Sequence, residues 1–194
     1  MGRRVVALLA GEVASGKTTV CQKVAEAARR RGLRVGGILT QPLYDALGRR
    51  VGLRAVDLWR RESRLLASVH RPLSDLRQGR YCFDPAAFAW AEQAVLASLE
   101  GDPGLVILDE VGPLELEAGA GFAPLLGPVL AAGCPVLLVV RRGCCAALAA
   151  RLPAAPVVFD VCLATRDALP AKIVAALCNP RVAARGSLRK KRCP

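Results

Sequence analysis

Short aliphatic runs alternate along this chain with longer stretches in which apolar residues recur every three to four positions. Residues 5–9 form a run too short for a helix and read as a buried strand. Residues 11–16 read as a turn, and 17–31 as a helix with Val20, Val24 and Ala27 on one face and Gly32 at its end. Residues 35–39 predict a second strand. From 40 to about 66 the pattern changes: Val51 and Leu53 continue strand character beyond a turn at Asp45–Gly48, which predicts a small antiparallel β insertion. Residues 67–80 read as irregular. Asp84-Pro85 opens a helix to about residue 99, since Asp caps and Pro fits the first turn. Strands follow at 105–108, 135–140 and 157–161, with helices at 122–132, 144–152 and 167–177. Strand and helix in alternation predict an α/β fold, a mostly parallel sheet flanked by helices.

Composition agrees with one such domain. The chain has 194 residues, 53% of them hydrophobic and only 4% aromatic, which predicts an aliphatic core. Gly, Pro or charge interrupts every apolar stretch, so no membrane span is predicted. The start, Met1-Gly2-Arg3-Arg4 before an apolar run, superficially resembles a signal peptide, but the run is short and leads into a Gly-rich loop. The eight cysteines lack CxxC spacing and predict neither a zinc site nor a disulfide framework; a cytoplasmic protein is expected, with the adjacent Cys144-Cys145 as its one oddity.

The net charge is +12. Residues 49–80 hold nine arginines against Asp57, Glu62 and Asp75, and no acid follows Asp167. Basic surfaces attract polyanions, but no aromatic residues interleave with these charges, so a solvated basic surface is favoured over nucleic-acid binding. The division expected is a domain over 1–178 and a basic tail over 179–194, disordered and dispensable for catalysis.

Chemistry concentrates at two places. Gly11-Glu12-Val13-Ala14-Ser15-Gly16-Lys17-Thr18 fits G-x-x-x-x-G-K-[ST] at every fixed position, between a strand and a helix. Its backbone N–H groups are expected to cradle phosphates, with Thr19 continuing the loop. Lys17 adds a positive charge, and the Thr18 hydroxyl a ligand for nucleotide-bound Mg²⁺. The strand at 105–108 ends in Asp109-Glu110, at the carboxyl edge where open α/β sheets bind ligands. Asp109 is the candidate metal ligand, and Glu110 the candidate base for an attacking water. Arg141, Arg142 and Arg166 compete for contacts to the γ-phosphate or the base. Arg142 is preferred for catalysis, and Arg166 for the base or ribose. Each of them has an ordinary surface arginine as its alternative.

Together these motifs resemble the THEP1-type, cancer-related nucleoside-triphosphatases. The resemblance rests on the phosphate loop, on Asp109-Glu110-Val111-Gly112-Pro113-Leu114-Glu115-Leu116, on Gly36-Gly37-Ile38-Leu39-Thr40 leading to Arg50-Val51-Gly52-Leu53, and on Gly79-Arg80-Tyr81. Val158-Phe159-Asp160-Val161 followed by Arg166-Asp167-Ala168-Leu169-Pro170 extends it, so it covers roughly residues 4–178. It implies a RecA-like P-loop fold with an added β hairpin, and Mg²⁺-dependent hydrolysis of several nucleoside triphosphates. Thr165, where many relatives have Asn, departs from the pattern. Two other functions remain open. One is a small-molecule or nucleotide kinase, with the arginines of 60–80 as a lid. The other is a nucleotide-gated adaptor with slow turnover.

Overall fold

A computed structural model describes residues 5–178. The expected tail at 179–194 lies outside the described residues. Among the described residues nine strands form one mixed sheet. In chain order they are β1 (Val6–Gly11), β2 (Val35–Tyr44), β3 (Arg50–Asp57), β4 (Ser63–Ser68), β5 (Arg77–Gln78), β6 (Tyr81–Phe83), β7 (Leu105–Val111), β8 (Val136–Arg141) and β9 (Val157–Val161). Their order across the sheet is β5-β6-β4-β3-β2-β7-β8-β1-β9. The five strands from β2 to β9 in that order pair in parallel, and β3, β4, β6 and β5 continue the sheet antiparallel.

The parallel strands are aliphatic because both of their faces are covered. Alternate residues go to opposite sides. Leu8, Ile38, Val106, Leu108 and Leu138 join one core, while Leu9, Leu39, Leu105, Ile107 and Leu137 join the other. Helices α1 (Lys17–Arg30) and α6 (Leu169–Cys178) cover the second face. The first is covered by α2 (Pro85–Glu100) and α4 (Ala123–Ala131). Two further helices are short, α3 (Pro113–Leu116) and α5 (Cys145–Ala150); a 3-10 turn, Arg142–Cys144, leads into α5. Asp84 caps α2 as expected, its carboxylate accepting from the Ala86 N–H at 2.9 Å.

The antiparallel part is larger than the sequence predicts. It extends from about residue 40 through β6 to Phe83, so residues 67–80 are not irregular throughout. β5 and β6 have two and three residues, too few to give a periodic signal. Gly37 fixes the junction of the two parts. It has φ +100°, and a Cβ there would collide with the backbone of Ile107 on β7. Among the described residues no helix is long and apolar enough to cross a membrane.

Candidate active site

The carboxyl ends of β1, β2, β7 and β8 converge on one cavity of about 1150 Å³. The first of these ends is the phosphate loop. Gly11 closes β1 with no room for a side chain, since a Cβ would meet Ser15 Oγ at 2.6 Å and Val161 at 3.2 Å. Ala14 at φ +63° and Gly16 at φ +94° lie in the left-handed region, which turns the loop into the start of α1. Lys17 Nζ donates to the carbonyls of Gly11 at 2.9 Å and Glu12 at 2.6 Å, so its ammonium lies over the loop. Burial lowers the Lys17 pKa, and the carboxylates of Asp109 and Glu110 oppose that shift. Glu12, Val13, Ala14 and Thr19 are exposed, while Ser15, Gly16 and Thr18 are half-buried.

Asp109 is buried at the end of β7. Its Oδ2 accepts from Thr18 Oγ1 at 3.0 Å and from the Thr40 N–H at 3.2 Å. Its Oδ1 is buried with no hydrogen-bond partner. Burial, and then the neighbouring Glu110, push the Asp109 pKa up to about 7, against the hydrogen bonds from Thr40 and Thr18. Thr40 ties β2 to both motifs. Its hydroxyl donates to the Asp109 carbonyl at 3.3 Å, and its own carbonyl accepts from Thr18 Oγ1 at 3.3 Å.

Glu110 lines the same cavity. Its φ is +75°, and the pairing of β7 with β8 shifts register between Leu108 and Val111. The bulge is what breaks strand alternation here, so Asp109 and Glu110 both reach the cavity. Just beyond, buried Glu115 accepts from the Gly112 N–H at 2.8 Å and the Phe122 N–H at 3.3 Å. Burial raises its pKa, and those two N–H groups counter the rise. Glu115 thereby holds the loop that follows the acid pair. Glu117, two residues further on, is exposed.

The three arginines separate. Arg141 closes β8 opposite Gly11, lines the cavity, and lowers the Lys17 pKa by charge repulsion. Arg142 turns away to Glu12 at 3.2 Å and Asp160 at 3.8 Å, and it does not line the cavity. Arg166 packs beside Gly16 on the β9 flank. There a smaller cavity of about 250 Å³ is lined by Gly16, Thr19, Val20, Lys23, Arg166 and Asp167. Sequence reasoning missed Thr40 and Glu115. Glu115 had a signal, because Gly112-Pro113-Leu114-Glu115 has an acid at the third helical position, where a capping box needs it.

A family model described as NTPase matches residues 6–174. The nucleoside-triphosphatase THEP1 of Pyrococcus abyssi is 35% identical over 127 residues, 66% of this chain and 69% of that protein. The THEP1 of Thermofilum pendens is 30% identical over 169 residues, 86% and 91% of the two chains. That of Hyperthermus butylicus is 33% identical over 171 residues, 88% and 89%. Among solved structures, THEP1 from Aquifex aeolicus superposes with TM-score 0.68 at 22% identity, covering 89% of this chain and 99% of that one. A human cancer-related nucleoside triphosphatase does so with TM-score 0.66 at 24% identity, covering 97% and 100%. Those two likenesses establish the fold; the family model and the sequence relatives establish that this chain belongs to the NTPase family, among the THEP1 nucleoside-triphosphatases.

Proposed function

We propose that this chain hydrolyses nucleoside 5′-triphosphates to the diphosphate and phosphate, taking up Mg²⁺ with the nucleotide. The observation that carries the reading is the buried carboxylate of Asp109, one hydrogen bond from Thr18 of the phosphate loop and with Oδ1 left unpartnered. A buried acceptor without a donor is costly, and a hard cation satisfies it. Thr18 and Asp109 are the residues that would hold Mg²⁺, which supplies charge neutralisation at the β and γ phosphates.

The rest is done by the chain itself. The N–H groups of residues 11–19 bind the phosphates. Lys17 adds its charge to the β and γ oxygens. Glu110 orients a water and accepts its proton as oxygen bonds to the γ-phosphorus. The bond from that phosphorus to the bridging oxygen breaks, and the diphosphate leaves with the electron pair. Arg141 is the better candidate to stabilise the γ-phosphate charge, because it lines the cavity while Arg142 is engaged with Glu12 and Asp160. Arg166 and its small cavity suit the ribose or base. The cysteine spacing, which predicts no disulfide framework, supports a cytoplasmic protein.

The kinase reading needs a lid over 60–80, but β4 and β5 within that span are joined to the sheet. Phosphate release from ATP, GTP, CTP and UTP, with Mg²⁺ and with EDTA, tests hydrolysis without any acceptor. Release that requires Mg²⁺ supports it. A folded protein that binds Mg²⁺–nucleotide and releases no phosphate from any of the four overturns it.

A further inference from the structure

The cavity is larger than one nucleotide's phosphates and metal require. Its volume, about 1150 Å³, exceeds the ~300–1,000 Å³ usual for small-molecule sites. It also runs in a definite direction. In the sheet, β9 flanks β1 on one side, and β8, β7, β2 and β3 lie on the other. Arg166 and the β2–β3 hairpin therefore stand on opposite flanks of the phosphate loop. A nucleotide bound as proposed above, with its base toward Arg166, leaves the hairpin end of the cavity free. The inference rests on that reading.

Two features mark what this end takes. The chain has only two Trp, two Tyr and four Phe, and five of these eight aromatic residues line the cavity: Tyr44, Tyr81, Phe83, Phe88 and Phe122. Three of them pack as a wall that reaches from this end to Glu115 at the other, Phe83 on Phe88 with ring centroids 5.6 Å apart and Phe88 edge-on to Phe122 at 5.0 Å. The second feature is charge. All the acids lining the cavity, Asp109, Glu110 and Glu115, belong to its catalytic end. The hairpin end carries Arg50 and Arg80, whose guanidinium carbons lie 5.6 and 5.4 Å from the Tyr81 ring centroid. Arg80 donates to the Arg50 carbonyl at 2.7 Å, and Arg50 Nε is buried with no hydrogen-bond partner. Arg50 pairs with Tyr44, four residues along β2 from Thr40. At ~3.3 Å per residue the backbone at Tyr44 and Arg50 is about 13 Å along the sheet from Thr40.

We propose that the hairpin end is a second ligand site, for a nucleoside 5′-monophosphate. Arg50 and Arg80 receive the phosphate, since guanidinium groups match phosphate oxygens. Tyr81 and Phe88 face the base, as aromatic side chains do for any nucleobase.

Calorimetry tests this on the full chain with Mg²⁺: the non-hydrolysable analogue AMP-PNP is titrated first, and AMP, GMP, CMP and UMP are then titrated in turn, both without AMP-PNP and with AMP-PNP at saturation. At least one monophosphate binds, one per chain. Arg80→Ala and Tyr81→Ala each weaken it by about tenfold or more, the scale of one lost charged or stacking contact. Both variants keep AMP-PNP affinity, because neither residue belongs to the phosphate loop; Arg80→Ala, at an exposed position, also keeps the wild-type melting midpoint, whereas Tyr81→Ala lowers it, since Tyr81 is half-buried against the core. No binding by any of the four overturns the proposal. So does binding that saturating AMP-PNP abolishes, which assigns the monophosphate to the phosphate loop, or binding that both variants retain. AMP-PNP affinity is read in the same experiment, so a failed phosphate-loop reading is seen separately.

Discussion

Glu110 has φ +75°, a conformation that costs a residue with a side chain about 1–2 kcal/mol. Strain of this kind persists where surrounding structure enforces it, and here the bulge in β7 and the loop held by Glu115 do so. The expected return is a carboxylate aimed at the γ-phosphate. Glu110→Gln keeps the backbone and the shape but cannot take a proton. It should lower turnover by about 10²-fold or more, with nucleotide affinity little changed; full turnover in a folded variant removes Glu110 from the mechanism. The arginines allow a paired test. Arg141→Ala should cut the maximal rate more than affinity, on the scale of about 10²–10³-fold for a lost charge-stabilising group. Arg142→Ala should have a much smaller effect, because its guanidinium is spent on surface pairs with Glu12 and Asp160. The reverse order of these two effects would restore the preference drawn from sequence. The phosphate loop and the acid pair were legible in the sequence because their chemistry lies in fixed local spacing. Thr40 was not, since its role consists of hydrogen bonds to residues distant in the chain.

At the scale of elements, legibility followed length. β1, β7 and β8 are aliphatic runs buried on both faces, and α1 and α2 are long enough to show their period and their caps. β5 and β6 are held by tertiary contacts instead, and no local pattern marks them. Gly36-Gly37 lies inside the second strand read from the sequence, and the structure gives Gly37 a definite task. At Gly37 β2 leaves its parallel partner β7, whose pairing ends at Ile38, and the hairpin with β3 begins. With φ +100° and the Ile107 backbone against the missing Cβ, Gly37→Ala combines strain with a clash. It should destabilise by more than about 3 kcal/mol, read as a lowered urea midpoint with an unchanged slope. Thr40 lies three residues further along β2, so the same variant should weaken Mg²⁺–nucleotide binding. A variant of wild-type stability would mean that β2 does not cross Ile107 so closely.

For the whole molecule, the cavity joins strand ends from across the sheet, and its ligand therefore bears on global stability. A ligand that binds only the folded chain stabilises it by about 2.7 kcal/mol at a hundred times its dissociation constant. For a domain of this size that is a rise in melting midpoint of about 5–10 °C. If Asp109 holds the metal as proposed, the rise depends on Mg²⁺. Its Oδ1 is buried without a partner, and burial pushes its pKa up to about 7, so the folded chain holds an ill-satisfied carboxyl at the hub of β2, β7 and α1. On the proposed reading, Mg²⁺ arriving with the nucleotide would satisfy that oxygen. AMP-PNP with Mg²⁺ should therefore raise the midpoint by the full amount, and AMP-PNP with EDTA by clearly less. Asp109→Asn keeps an oxygen to accept from Thr18 and Thr40 but loses the charge that draws the metal. In that variant the difference between the Mg²⁺ and EDTA arms should shrink toward zero while a nucleotide-dependent rise remains. Equal shifts with Mg²⁺ and EDTA in the wild-type chain would sink the metal role of Asp109 and leave the phosphate loop to bind the nucleotide alone.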